Sequence, residues 1–473
     1  MNGCRWTVAV VAVCFAAVAR AESGADVADS YYYSPAPRSS SQAKDYVSLE
    51  MAPLPPPVAA EVAPNAPIAS TAEETAPAVA TEEPCPKCHC RCRGGCNQGE
   101  AWKLPQPCVL QQHGIVMGGW MQQGITFNST NPTDGFNGPV ATNDRAGEYE
   151  LNQLWLYLYR PTNTGGCGWD VGGRFDIIYG SDWRYGMSYG LEDRINGNDR
   201  LYGMVLPQFY GEVAYNDLTV RAGHYAAAFS YEQIPAPLNF FYSHSYMMTA
   251  EPILVTGMDA TYALTDQLKV IGGFNRGWMM YEDNNENLDF LGGLKWSSCN
   301  KKTDLSFNVT LGPQDAAGEQ DIFLYALVLR QEISERLSYV IQNDMGTQKY
   351  GNPRTGDDAN WYGIAQYLFY KLNPCWTAGM RFEWFRDADG ARVAGVGNWI
   401  DSDAGWTGAP GFAGDFYELT AGLNWRPHPN FVFRPEVRYD WYNGTTNVEQ
   451  QLPYGGGSDS DQLLFAMDLI VTY

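Results

Sequence analysis

Few side chains in this sequence are placed to do covalent chemistry. The densest group is "CPKCHCRCRGGC", where Cys85, Cys88, Cys90, Cys92 and Cys96 crowd around His89. Cys85 and Cys88 have the C-x-x-C spacing of a zinc ligand pair, but no proper second pair stands at a distance to complete a tetrahedral site. Disulfides are the default reading in an exported chain, with metal ligation and free or intermolecular thiols as the others. Cys108, Cys167, Cys299 and Cys375 join the five as disulfide candidates, and no metal site is assigned. Ser243-His244-Ser245 invites a hydrolase reading, but nothing in its spacing supplies a triad, so no catalytic residue is assigned. What remains are charges that alternate with apolar residues: Arg174, Asp176, Arg221, Lys269, Lys295, Asp304, Arg381, Glu383, Arg434, Glu436, Arg438 and Asp468. On the inside of a water-filled passage such groups set the field an ion feels. The competing reading is paired charges that only stiffen a wall.

The elements that would position them are strands. In "WDVGGRFDIIY", Trp169, Val171, Phe175, Ile177 and Tyr179 oppose Asp170, Arg174 and Asp176. In "TDLSFNVTL", Leu305, Phe307, Val309 and Leu311 oppose Asp304, Ser306, Asn308 and Thr310. "CWTAGMRFEWF" and "FVFRPEVRYDW" repeat the pattern, the latter setting Phe431, Phe433, Val437, Tyr439 and Trp441 against Arg434, Glu436, Arg438 and Asp440. This two-residue period describes a sheet with one wet and one apolar side. It predicts about sixteen strands, at 113–127, 149–160, 168–180, 203–215, 217–230, 254–264, 266–278, 287–297, 303–312, 321–331, 335–345, 359–372, 375–386, 415–426, 430–442 and 462–473. The second, "YELNQLWLYLYR", is apolar on both parities and has no readable orientation.

Short and long links alternate. "PTNTGGC", "YND", "LTDQ", "SSCNKK", "ISE", "NPC" and "RPHPN" separate longer connections at 128–148, 181–202, 231–253, 279–286, 313–320, 346–358, 387–414 and 443–461. A sandwich has no reason to alternate in this way. A bacterial outer-membrane barrel does, with short periplasmic turns and long outer loops. The expected fold is an all-β, antiparallel, up-and-down transmembrane β-barrel of about sixteen strands (14–18) over 113–473. An open sheet edge is not tolerated in lipid, so "LLFAMDLIVTY" must pair with the first strand. Its terminal Tyr473 resembles the signal read by the barrel-assembly machinery. Every cysteine outside the leader falls on the periplasmic side of this topology.

The link 231–253, "YEQIPAPLNFFYSHSYMMTAEPI", is too aromatic for an ordinary surface loop. It is expected to fold inward as a constriction, with Glu232, His244 and Glu251 lining or flanking it; packing on the rim or between subunits is the alternative. Asp387, Asp389, Asp401, Asp403, Asp459 and Asp461 in the outer loops could collect divalent cations, against the simpler reading of a solvated acidic surface.

Upstream, "MNGCRWTVAVVAVCFAAVARAESG" has a short positive start, an apolar run and an A-x-A site, which predicts a signal peptide over 1–21. Residues 22–84 are a Pro/Ala/Glu-rich linker expected to be disordered, followed by a Cys-rich segment at 85–112. With Cys4 and Cys14 in the leader, the eleven cysteines leave nine, an odd number. The net charge of −22 argues against nucleic acid as a partner.

At "GWMQQGITFNSTNPTDGFNGPVATNDRAGEYELNQLWLYLYR" (119–160) and "APLNFFYSHSYMMTAEPILVTG" (236–257) the chain resembles the outer-membrane β-barrel porin family described as OmpL-like. The resemblance covers roughly 113–473 and implies a porin without cofactors or catalytic residues. The expected function is passive diffusion of small hydrophilic solutes or ions through a water-filled channel. The location is the bacterial outer membrane, with lipid around the barrel, the N-terminal segment in the periplasm, and a homotrimer by analogy. The alternative is a plugged structural barrel anchoring the membrane through its Cys-rich arm.

Overall fold

The computed structural model describes residues 100–473 apart from 193–194, 197–200, 228 and 394–410. The leader, the linker, Cys85 to Cys96, Asp401 and Asp403 fall outside the described residues.

Sixteen strands form one closed antiparallel barrel. They are β1 (Val116–Asn128), β2 (Tyr149–Arg160), β3 (Trp169–Gly180), β4 (Gly203–Tyr215), β5 (Leu218–Ala226), β6 (Leu254–Ala263), β7 (Leu268–Trp278), β8 (Asp289–Ser297), β9 (Thr303–Pro313), β10 (Asp321–Glu332), β11 (Leu337–Gln348), β12 (Ala359–Asn373), β13 (Trp376–Asp387), β14 (Gly414–His428), β15 (Phe431–Gly444) and β16 (Asp461–Thr472). Each pairs with its sequence neighbours, and β16 closes on β1 from Trp120↔Thr472 to Asn128↔Leu464. Tyr473 extends this seam: its N–H donates to Gly119 O (2.9 Å), its O accepts from Gly119 N (3.1 Å), and its hydroxyl reaches Trp155 O (3.0 Å). The apolar end of the chain is thus spent on closing the sheet. One rim carries the short turns and the other the long loops, as the link lengths predict.

The period-two pattern sorts the side chains. Val171, Phe175, Tyr179, Met258, Phe274, Leu311, Met380 and Phe465 form an exposed outer belt, bounded by aromatics such as Trp169 on Tyr215 and Trp376 stacked on Trp425 at the short-turn rim, and Tyr417 stacked on Trp441 toward the other. Aromatic girdles around an apolar band mark a barrel that sits in lipid. In β2 the register slips between Gln122 and Gln123 of its partner β1, leaving Asn152 as an extra residue. That bulge switches the parity of the strand, which is why its apolar pattern could not be oriented. β2 also sends Trp155 inward, where it stacks on Trp120.

The largest departure from the expected boundaries has a structural reason. β5 stops at Ala226 instead of running to 230, because the chain there turns off the wall into the lumen. Ala227 N donates to Ile253 O at the loop's exit, and Asn308 of β9 donates to Phe229 O. Other strand ends differ by three residues or fewer, as where β11 runs on to Gln348, paired with both neighbours.

At the short-turn rim, residues 102–106 strap the seam. Trp102 N donates to Asn430 Oδ1 (2.6 Å) and Asn430 Nδ2 donates to Trp102 O (3.0 Å) and Thr472 O (2.7 Å). The Trp102 ring packs on His428 and Phe431. Gln106 takes both backbone groups of Met117 (2.7 and 2.8 Å). Asn430 therefore bridges the strap, β15 and β16. Asn430→Ala removes four hydrogen bonds from a buried side chain and is expected to cost ~1–3 kcal/mol. The midpoint of the heat-induced gel shift should fall; an unaltered midpoint would show that the strap does not hold the seam.

The cysteines divide. Cys108, Cys167 and Cys299 are free and exposed, in a short helical turn (Cys108–Gln112) ahead of β1, in the β2–β3 turn and in the β8–β9 turn. These are different sites around the rim, and a disulfide reaches only about 4.4–6.8 Å between Cα atoms. Cys375 is disulfide-bonded.

Candidate functional site

The site is the barrel interior, and the segment between β5 and β6 governs it. This loop crosses the lumen and meets walls far apart on the circumference. Ile234 O accepts from Gln153 of β2, and Ala236 N donates back to the same side chain. The Tyr242 hydroxyl donates to Asn152 (2.9 Å). On the far side, Gln342 of β11 accepts from Tyr231 N (2.8 Å) and Ser230 Oγ (3.2 Å) and donates to Glu251 (2.7 Å), so one amide ties the loop's entry to its exit.

Between these points the loop lies on the charges of β13–β16. Glu436 accepts the successive amides of Tyr242 (2.8 Å) and Ser243 (3.0 Å), and Glu383 accepts those of Tyr246 and Met247 (both 2.7 Å). Arg434 donates to Ala236 O (3.1 Å) and Asn239 O (2.9 Å), and Arg438 to His244 O. Arg381 is fully buried between Glu418 and Glu232 (2.6 Å) and donates to Ser243 O (2.8 Å) and Ser243 Oγ (3.0 Å). Wall carboxylates hold loop amides, and wall guanidiniums hold loop carbonyls. This satisfies a backbone that has left the sheet in a water-poor interior.

The loop's apolar residues need space, and inward-facing glycines provide it. A Cβ at Gly379 would lie 2.3 Å from the Phe240 ring, and one at Gly124 would lie 2.6 Å from Tyr242. Phe241, Tyr246 and Met247 complete a core with Leu324, Ala326, Val340, Trp361 and Ala365, the inner faces of β10–β12.

Of the twelve charges expected on a wet wall, all alternate inward, but seven are covered. Asp176, Arg381, Glu383, Arg434, Glu436, Arg438 and Asp468 are each at most 5% exposed. Arg434 and Asp468 form an ion pair to which Gln122 also donates. Asp176 accepts from Arg174, Trp155 and Gln208. Arg174, Arg221, Lys269, Lys295 and Asp304 keep solvent access, in the half of the lumen nearer the short turns. Tyr231, Gln233, Leu238, Asn239 and Phe240 are likewise only partly covered.

Glu232, His244 and Glu251 are all buried inside the barrel. Burial alone would raise the Glu232 carboxyl, but Arg381, His244 and the Ser245 amide outweigh it and hold it well below the usual range. His244 Nδ1 lies 3.4 Å from Glu232 without hydrogen-bond alignment. The flanking hydroxyls are occupied elsewhere: Ser243 Oγ accepts from Arg381 and Ser245 Oγ from Met248 N. Glu251 is the opposite case: burial, then the neighbouring Asp344, raise its carboxyl well above the ordinary value.

The acidic outer loops are bound up in their own backbone. Asp387 accepts the amides of Gly390, Ala391, Arg392 and Val393 (2.7–3.0 Å). Asp389 accepts from Asn352 and Asn360. Among the described residues no cluster suited to a metal ion is found.

Four residues that organise this site went unassigned in the sequence: Gln342, Glu418, Asn152 and Gln153. Gln342 and Glu418 share the inward parity of their strands, which could have found them. Asn152 and Gln153 were hidden by the bulge.

A closed sixteen-strand barrel with an apolar belt, a polar interior and a loop folded into it defines a porin-type outer-membrane barrel. The profile of the family described as "Putative beta-barrel porin-2, OmpL-like" matches residues 114–473, and the chain belongs to that family. One solved structure supports the fold, and others are similar. An anion-selective porin from Comamonas acidovorans superimposes with a TM-score of 0.51 at 10% identity, covering 76% of this chain and 99% of that one. The outer membrane channel DcaP of Acinetobacter baumannii gives 0.49 at 10% identity, covering 76% and 97%. OprB of Pseudomonas putida gives 0.48 at 12% identity, covering 77% and 96%. No curated protein matches the chain.

Proposed function

We propose that the chain is a diffusion porin that passes small hydrophilic solutes or ions through a lumen narrowed by loop 227–253. The observation that carries this reading is the loop itself, bound across a polar barrel interior by paired charges instead of lying on the rim. The short-turn rim, with the strap at 102–106, faces the periplasm, and the long loops face outward. Arg174, Arg221, Lys269, Lys295 and Asp304 line the wet vestibule below the loop. Five of the covered charges, Arg381, Glu383, Arg434, Glu436 and Arg438, act one step removed: they fix the loop and so set the width of the passage.

The test is single-channel recording of the purified protein in a planar bilayer, beside a variant in which 231–251 is replaced by a short Gly/Ser link. Small unitary steps that grow several-fold in the variant are expected. A correctly folded barrel that is silent in both forms would overturn the reading and favour a plugged, anchoring barrel.

A further inference from the structure

Most charges along the wet half of the lumen are paired with an opposite charge, and Glu212, set across from Arg221 in the β4–β5 register, accepts from the Thr162 hydroxyl. Arg174 pairs with Asp176 (2.8 Å), Arg221 with Asp259, and Arg330 with Asp304 (3.4 Å) and Glu332 (3.1 Å). Lys269 and Lys295 have no such partner: among the described residues, no carboxylate lies within ion-pairing distance of either. The register of β7 and β8 sets the two lysines directly opposite each other on the inward face. Like charges directly opposite on one face destabilise a sheet. A third cation, Arg221, is near enough to act on Lys295. Its guanidinium sits over the Tyr225 ring, 3.8 Å from the centroid, and its Nε has no hydrogen-bond partner. The nearest acid, Asp259, is already taken by Arg221. Lys269 is exposed and Lys295 half-buried, so a ligand can reach both.

We propose that Lys269 and Lys295, assisted by Arg221, form a binding site for a small polyvalent oxyanion, inorganic phosphate or a phosphorylated solute, in the lumen below the loop. Two ammonium groups offer six donors and no acceptor. A tetrahedral dianion has oxygens enough to bridge both and cancels both charges, whereas a halide neutralises only one. Lysine binds phosphate as a point charge and needs no fork geometry. The site gives a chain of net charge −22 a local attraction for anions. Its place on a transport path rests on the porin reading; the binding itself does not.

Two measurements separate these. Equilibrium dialysis of labelled inorganic phosphate against the folded full-length protein in detergent reads binding without conduction. The double variant Lys269→Gln/Lys295→Gln is compared with Lys301→Gln/Lys302→Gln in the β8–β9 turn. Binding weaker by at least about tenfold in the first, a change of about 1.4 kcal/mol, and unaltered in the second is expected. Because the double variant relieves a like-charge pair, it should fold; Lys295→Gln alone serves as a second probe. Equal phosphate binding in wild type and both lysine variants, or none in the wild type, overturns the site. In bilayers, phosphate should reduce the wild-type current and leave that of the double variant unaltered. Lysine-dependent binding to a silent barrel would sustain the site and overturn the porin. Conduction with phosphate block indifferent to the lysines would do the reverse.

Discussion

Arg381→Met should free the middle of the inserted loop while leaving the barrel closed. Methionine keeps most of the apolar volume beside Phe241, whose ring lies 5.1 Å from the guanidinium. It removes the cation that Glu232 and Glu418 share and the donors to Ser243. Two buried carboxylates are then left facing each other near Glu383. Removing one partner of a buried ion pair costs about 3–5 kcal/mol, because an uncompensated charge remains. The sheet's own hydrogen bonds are untouched, so the loss falls on the loop. Limited proteolysis of the folded protein should cut near 241–247 where the wild type resists, and unitary conductance should rise and become noisy. Adding Glu232→Gln removes one of the stranded charges and should recover part of the loss, the non-additivity expected of contacting residues. Wild-type resistance in Arg381→Met would mean that Glu436 and Glu383 hold the loop without it.

The second large effect is on pH. Glu251, at the loop's exit, faces Asp344 and Gln342 from β11 and has Ser230 and Glu232 of the loop beside it. Gln342 also donates to Asp344 (3.0 Å), so two carboxyls compete for one amide. Burial first, and Asp344 second, raise Glu251 above its ordinary value. The folded state therefore holds the proton more tightly than the unfolded one. The contribution of Glu251 to loop insertion is fully present below the ordinary glutamate value of about 4.3, whereas the depressed Glu232 contributes above its own ordinary value and loses that only in stronger acid. The Glu251 contribution is lost as pH rises through its raised value. Channel openings should become more frequent as pH is raised across that range. Glu251→Gln, which keeps an acceptor for Gln342 and cannot ionise, should flatten the profile at its acid-side level. An unaltered pH profile in Glu251→Gln would place the sensitivity elsewhere.

How much of this could be read from the residues depends on the range of the forces. Period-two alternation is local. Each strand shows which side chains share a face, and Arg434, Glu436 and Arg438 read as inward without any knowledge of their neighbours. The alternation of short and long links is likewise written along the chain, and it carries the barrel with it. Strand β2 shows the limit: one bulged residue, Asn152, breaks the period, and the bulge exists only because β1 lies beside it.

The site is another matter. The composition of 231–253 marked it as unfit for open water, but its partners lie elsewhere in the chain: Tyr242 meets Glu436 across 194 residues and Ser243 meets Arg381 across 138. A charge facing inward looks the same in sequence whether water or a backbone amide satisfies it. By itself the sequence determined a closed barrel, the facing of its charges and a loop that needed cover. Only the tertiary structure decided that five of those charges, Arg381, Glu383, Arg434, Glu436 and Arg438, are spent holding that loop, because only there do the glycines of distant strands leave room for its aromatic rings and bring its amides within reach of the wall.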